Sequence, residues 1–162
     1  YSFMMDRLKA YYKDANIDRN VYEAVLAVSP DSPLDFHLRV EALSEFTQSE
    51  DSKSLIESNK RIANILKDSN EKNEKLNPKI LIDDSEVKLF NATVSLSKQL
   101  SEIKDYKEVM KSLIDLKDLI DSFFDNVMVN ADDEKLKSSR LALIRRIRVL
   151  FLSVADISYL SS

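Results

Sequence analysis

Two groupings of polar side chains in this 162-residue chain have types and spacing that suit a charged partner. The first is Asn59-Lys60-Arg61 with Asn64, inside the run S-L-I-E-S-N-K-R-I-A-N-I-L. Guanidinium and ammonium groups hold phosphates, and an asparagine amide reads a base edge. The second is Arg140, Arg145, Arg146 and Arg148 with Lys135 and Lys137: residues 134–148 hold six basic groups and one acidic group. The formal net charge of the chain is −4. Nucleic-acid binding needs a local basic face rather than a basic total, so the acidic balance leaves RNA open as a partner. Each grouping also has a plainer reading. Any exposed helix shows a few polar residues like the first, and the second can form salt bridges to an acidic neighbouring helix.

Catalysis has less to stand on. Asp115, Asp118, Asp121 and Asp125 recur at three- and four-residue steps, which a hard cation could use. Beside Lys111 and Lys117 they read better as an exposed acidic face. His37, the one histidine, lies next to Phe36 without a Ser or Asp partner at a diagnostic spacing, so it reads as a packed or surface side chain. Cysteine is absent, which excludes disulfides, thiolate metal sites and cysteine nucleophiles. Glycine is absent too, where an average chain of this length holds about eleven. That argues against glycine-rich phosphate loops, dinucleotide fingerprints and primed hairpin turns. No catalytic and no metal-ligating residue is assigned.

The elements that must position these side chains read as helices throughout. Hydrophobic content of 44% and charged content of 32% describe a globular chain. No apolar run approaches the roughly 18 residues of a membrane span. Phe3, Met4, Leu8, Tyr11 and Tyr12 predict a helix over 2–13 that ends near Asn16. Asp18 then caps a short second helix through Val21, Val25 and Val28, for which a strand has no partner nearby. Ser29 to Pro33 is a turn, and Pro33 opens a third helix through Phe36, Val40, Leu43 and Phe46. A fourth carries Leu55, Ile62 and Leu66 with Asn59 on the same seam. Residues 67–79 read as a surface loop. Asp83 or Asp84 caps a fifth helix that carries Val87, Phe90, Val94 and the Leu96/Leu100 pair and breaks near Lys104-Asp105.

The stretch from Tyr106 to Leu160 organises the rest. One helix offers Tyr106, Met110, Leu113, Ile120, Phe124 and Val127; the next carries Leu136, Leu143, Ile147, Leu150, Val154 and Ile157. A corner at Asn130 to Asp133, with Asp132 as cap, makes them antiparallel neighbours whose stripes close on each other. The expected architecture is all-α: a single helical bundle of about seven helices spanning 1–162. The chain starts at Tyr1 with no signal-peptide pattern and is read as a part of a longer polypeptide.

Several of these segments resemble a known family. Asn59-Lys60-Arg61-Ile62-x-Asn64-Ile65-Leu66, Phe123-Phe124-Asp125-x-Val127-Met128-Val129, Arg140-Leu141-Ala142-Leu143 and Leu150-Phe151-Leu152-x-Val154-Ala155-Asp156-Ile157-Ser158 look like the C-terminal part of the beta subunit of bacterial glycyl-tRNA synthetase. The order and spacing agree, as do Glu23 to Val28 and Arg39 to Leu43 upstream. That region belongs to the DALR type of helical anticodon-binding domain. The tetrad that names it would fall on Glu134-Lys135-Leu136-Lys137, where only Leu136 is identical; Leu136 lies on the core stripe, so the tetrad is expected to be mainly structural.

The resemblance implies a role for the domain. It would grip the anticodon arm of the tRNA for glycine and help check its cytosines. ATP-dependent joining of glycine to tRNA would take place on the alpha subunit of an alpha2-beta2 heterotetramer in the cytoplasm. ATP and Mg would belong to that alpha-subunit site, with no cofactor, no membrane contact and no catalysis in this chain. The RNA-binding residues expected are Asn59, Lys60, Arg61 and Asn64, then Arg39 and Arg140. The alternative is a helical scaffold for subunit assembly that touches no RNA.

Overall fold

A computed structural model describes residues 7, 10, 11, 19–68, 76, 79, 81–129 and 131–160. Among them every regular element is a helix. These are α1 (Arg19–Leu26), α2 (Pro33–Thr47), α3 (Ser52–Asp68), α4 (Asp84–Leu100), α5 (Tyr106–Ile114), α6 (Lys117–Asn126), α7 (Glu134–Leu152) and a 3₁₀ turn, η1 (Ile157–Tyr159). The helix expected over 2–13, its end at Asn16 and the cap at Asp18 fall outside the described residues, apart from Arg7, Ala10 and Tyr11. Most of the 67–79 loop and Asn130 of the corner fall outside them as well.

The early helices follow from their sequence. Val21, Tyr22, Ala24 and Val25 are buried on α1, so the β-branched run is helical. In a chain without glycine, the left-handed position after α1 falls on Ser29, at φ 49°, at a cost of roughly 1 kcal/mol. The Ser32 hydroxyl accepts from the Asp35 N–H at 3.0 Å and Pro33 begins α2, which satisfies an orphan donor and uses the preset proline φ. Phe36, Val40, Leu43 and Phe46 are all buried, as their spacing predicts. On α3, Leu55 and Ile62 are fully buried.

Four helices form the core bundle. Both α6 and α7 pack against α3 and against α4. Neither α6 with α7 nor α3 with α4 forms a principal pair, so those two pairs lie on the diagonals. This corrects the expectation that the helices on either side of the corner close on each other. Their stripes meet α3 and α4 instead. Outside the bundle, α2 joins α1 and α5, and η1 sits against α1 and α3.

Three boundaries and two faces also differ from the reading of the sequence. The long helix over 106–127 is broken at Asp115-Leu116 into α5 and α6. The break has a cause in packing: α5 lies against α2 while α6 lies against α3 and α4, and one straight helix cannot serve both. The last helix ends at Leu152, and Val154 and Ile157 reach the core from the turn that follows. The Asp156 N–H donates to the Ala24 carbonyl at 2.9 Å, which draws the chain off the helix axis onto α1. The cap of α7 is Asp133, not Asp132, because the Asp133 carboxylate receives the N–H groups of Lys135 and Leu136.

On α6 the core side chain is Phe123, fully buried, and Phe124 is only half-buried. On α4 the inward face is Glu86, Leu89, Thr93 and Leu96, with Val87 exposed. That rotation puts a carboxylate inside, where Arg140 meets it.

Candidate nucleic-acid interface

The six basic and amide side chains expected to touch RNA divide into two groups. Three have donors already engaged inside the fold. Asn59 is 1% exposed, and its Nδ2 donates to the Leu55 carbonyl one turn earlier at 2.9 Å. Arg140 is buried; its Nε donates to Glu86 Oε1 at 2.7 Å, its Nη2 pairs with the same oxygen, and its Nη1 donates to the Met128 carbonyl at 2.6 Å. Arg39 pairs with Asp35 at 2.9 Å and donates through Nη1 to the carbonyls of Ser153 and Val154. A cation suits the end of α7, where the last carbonyls carry the negative pole of the helix dipole.

Tyr106 completes the Arg39 cluster. Its ring lies under the guanidinium at 4.7 Å, and its hydroxyl donates to Asp35 Oδ1. Burial, together with the Asp35 hydrogen bond, raises the Tyr106 pKa above the ordinary tyrosine value. Its neutral form is therefore worth stability that is complete below about pH 10 and is lost as pH rises through the folded value. Tyr106→Phe is expected to cost about 1–2 kcal/mol in a urea melt at neutral pH, because it leaves a carboxylate oxygen short of a donor. The deficit should shrink above about pH 10.

The other three candidates lie together on α3. Lys60 is partly exposed, and Arg61 and Asn64 are exposed. Lys60 and Asn64 make no side-chain hydrogen bond or ion pair with the described residues. Arg61 makes one contact, with its guanidinium over the Phe124 ring at 4.4 Å. Two open hollows share this Arg61–Phe124 wall. One, of about 510 Å³, is bordered by Ile65 and the segment Val127 to Val129, with Met128 mostly exposed. The other, of about 390 Å³, is bordered by Ser54, Glu57 and Asp121. Asp125 borders both.

By spacing Phe124 reads as core and Asp125 as solvated acid; in the structure Phe124 is half-buried and Asp125 exposed. Phe123 and Phe124 are adjacent on one helix, about 100° apart around its axis, so Phe123 takes the centre of the core face and Phe124 its edge, partly packed against the core and partly open. The rest of the acidic run is tied down. Asp121 accepts from the Ser54 hydroxyl at 2.9 Å and pairs with Lys117 at 3.1 Å. That pairing raises the Lys117 pKa. Among the described residues no cluster of His, Cys, Asp and Glu is arranged to hold a metal ion. His37 faces Glu41 across one turn at 2.9 Å.

The basic face of α7 is partly accounted for by internal pairs. Arg148 holds Asp156 through two hydrogen bonds, at 3.2 and 2.9 Å, and Arg140 holds Glu86 on α4. Arg146 lies over the Phe90 ring at 5.7 Å. A groove of about 520 Å³ runs between α4 and α7, with Lys98, Arg145 and Arg146 on its border. In the bundle order this groove lies on the edge opposite the α3–α6 hollows.

The model of the DALR anticodon binding domain matches residues 55–157, which runs from α3 through η1 and takes in all four bundle helices. The chain belongs to the DALR anticodon-binding domain family. Over 162 residues this DALR domain is 41% identical to a glycine–tRNA ligase beta subunit of Vibrio parahaemolyticus, an alignment covering 98% of the chain and 24% of the relative. It is 40% identical over 162 residues to the beta subunit of that name from Aliivibrio fischeri, covering 98% and 24%. The counterpart in Haemophilus influenzae is 39% identical over 161 residues, covering 98% and 23%. The domain thus spans about a quarter of the length of these curated relatives. No helix among its described residues is long and apolar enough to cross a membrane.

Proposed function

We propose that this DALR domain grips the anticodon arm of the tRNA for glycine, as one part of a glycine–tRNA ligase beta subunit. The observation that carries the reading is the family match over 55–157 on a bundle whose α3 presents Lys60, Arg61 and Asn64 outward. Lys60 would hold backbone phosphates. Arg61 and Asn64 would reach unstacked loop bases, which is how single-stranded RNA is read. Glycine would be joined to the tRNA on an alpha subunit with ATP and Mg, in an alpha2-beta2 complex in the cytoplasm. The contribution of this domain is to hold and orient the tRNA. Asn59, Arg39 and Arg140 would support the surface from within rather than touch RNA.

Lys60→Ala combined with Asn64→Ala tests this in the full-length subunit. Affinity for glycine tRNA is expected to fall about tenfold, and the dependence of log K on log salt to flatten by about one unit, as for the loss of one phosphate contact. Unchanged affinity and charging would move the domain to the scaffold reading. A scaffold face is expected to be apolar without a basic border; the exposed Val149 lies in the α4–α7 groove among Lys98, Arg145 and Arg146.

A further inference from the structure

We propose that the groove between α4 and α7 is a docking site for an acidic amphipathic helix from another part of the same beta subunit. It rests on the reading of this domain as one part of such a subunit, and adds an internal contact on a face away from the RNA. Three observations lead to it. The first is the floor. Val94 and Leu150 are half-buried in the groove, and beside them Val149 is left 60% exposed. Along α7 the groove runs from Ala142 to Leu150, a rise of about 12 Å. That length accepts about two turns of a second helix, whose apolar side chains at i, i+4 and i+7 would meet the floor.

The second is the charge. Lys98, Arg145 and Arg146 stand exposed on the border, and no carboxylate lines the groove among the described residues. Elsewhere on α7, Arg140 and Arg148 have carboxylate partners within the fold. Lys98 makes no side-chain hydrogen bond or ion pair with the described residues, and Arg146 lies over the Phe90 ring, which brings no charge. Carboxylates flanking the apolar stripe of a partner helix would supply the opposite charge. A phosphate backbone would meet the same cations but leave Val94 and Val149 in water, so it would use only half of what the groove presents.

The third is size, which names the source. A stable contact with a free partner buries about 1,200 Å² or more, and two helical turns in a groove of about 520 Å³ fall well short of that. A segment tethered in the same chain meets the groove at about millimolar effective concentration, where a small contact is enough. The domain spans about a quarter of the length of its relatives, which leaves ample chain to supply such a helix. The groove lies on the edge of the bundle opposite Lys60, Arg61 and Asn64, so both contacts can form at once.

The test places a photoreactive phenylalanine analogue at position 149 of the full-length beta subunit, in complex with its partner subunit. Crosslinks are mapped by mass spectrometry with and without glycine tRNA. The expected product is an intrachain crosslink to a segment with apolar residues at i, i+4 and i+7 flanked by Asp or Glu. Lys98→Glu combined with Arg146→Glu is expected to lower its yield about tenfold and to leave affinity for glycine tRNA unchanged. A crosslink to the partner subunit, to the tRNA or to a segment without acidic flanks overturns the proposal, and so does the absence of any crosslink. A yield that the charge reversal does not change overturns it as well. If the double variant weakens tRNA binding, the groove holds phosphates and the helix is refuted. If the intrachain crosslink forms while the subunit binds no tRNA, the anticodon-arm reading falls and the docking site stands.

Discussion

Arg140→Met is expected to lower the folding stability of the domain by about 3–5 kcal/mol, seen as a fall in the urea midpoint, the size found when one partner of a buried ion pair is removed. Glu86 is 0% exposed, and Arg140 supplies the hydrogen bonds to its Oε1. The other oxygen, Oε2, is buried without a partner among the described residues. Removing the guanidinium therefore strands a carboxylate in the core and frees the Met128 carbonyl too. The double variant Glu86→Leu with Arg140→Met should recover most of the loss, since well-packed apolar pairs often replace buried ion pairs at little cost. A loss below about 1 kcal/mol in the single variant would mean that the pair is hydrated in solution and the core around it open.

Asp156→Ala is expected to cost about 2–4 kcal/mol. This carboxylate joins parts of the chain that pack separately. It receives two hydrogen bonds from Arg148 on α7, and it caps η1 through the N–H and the hydroxyl of Ser158, at 3.2 and 2.6 Å. Its own N–H reaches the Ala24 carbonyl on α1. Burial pushes the carboxyl pKa up, but the Ser158 and Arg148 hydrogen bonds and the Arg148 charge outweigh it and hold the group below the ordinary aspartate value. A depressed folded pKa means that the contribution is complete above the unfolded value of about 4 and is lost as pH falls through the folded value. Asp156→Asn should thus be less stable than wild type at pH 6, with the gap narrowing below about pH 4. A gap that stays constant down to pH 2 would show that the ionised form is not what Arg148 and Ser158 hold.

Local chemistry made much of the fold legible in advance. The 3.6-residue spacing of Phe36, Val40, Leu43 and Phe46 sufficed for α2, and Ser32-Pro33 marked its start. Asp105 caps α5 where the sequence suggested a break. What was missed lay between elements. The Tyr106 to Val127 spacing looks like one helix because periodicity does not register that α5 and α6 have different neighbours. Val87 reads as an apolar position of α4 from its type, while the burial of Glu86 beside it makes sense only with Arg140 opposite.

The candidate site shows the same division. Asn59, Lys60 and Arg61 are consecutive, and Arg140 and Arg145 share a helix, so composition treats them alike. Burial separates them: Asn59 turns to its own helix backbone, while Lys60 and Arg61 face outward. The sequence by itself determined the all-α class, the starts of α2 and α4, the exclusion of cysteine and glycine-loop chemistry, and the family resemblance, because each depends on residue type and short-range spacing. The tertiary structure decided which cations are enclosed and which are free. Arg140 is internal because a carboxylate 54 residues away meets it. Arg61 is at the surface because Phe124, on another helix, offers it a ring and no charge. A charge is buried only where a partner from elsewhere in the chain compensates its lost hydration, and that partnership arises from packing alone.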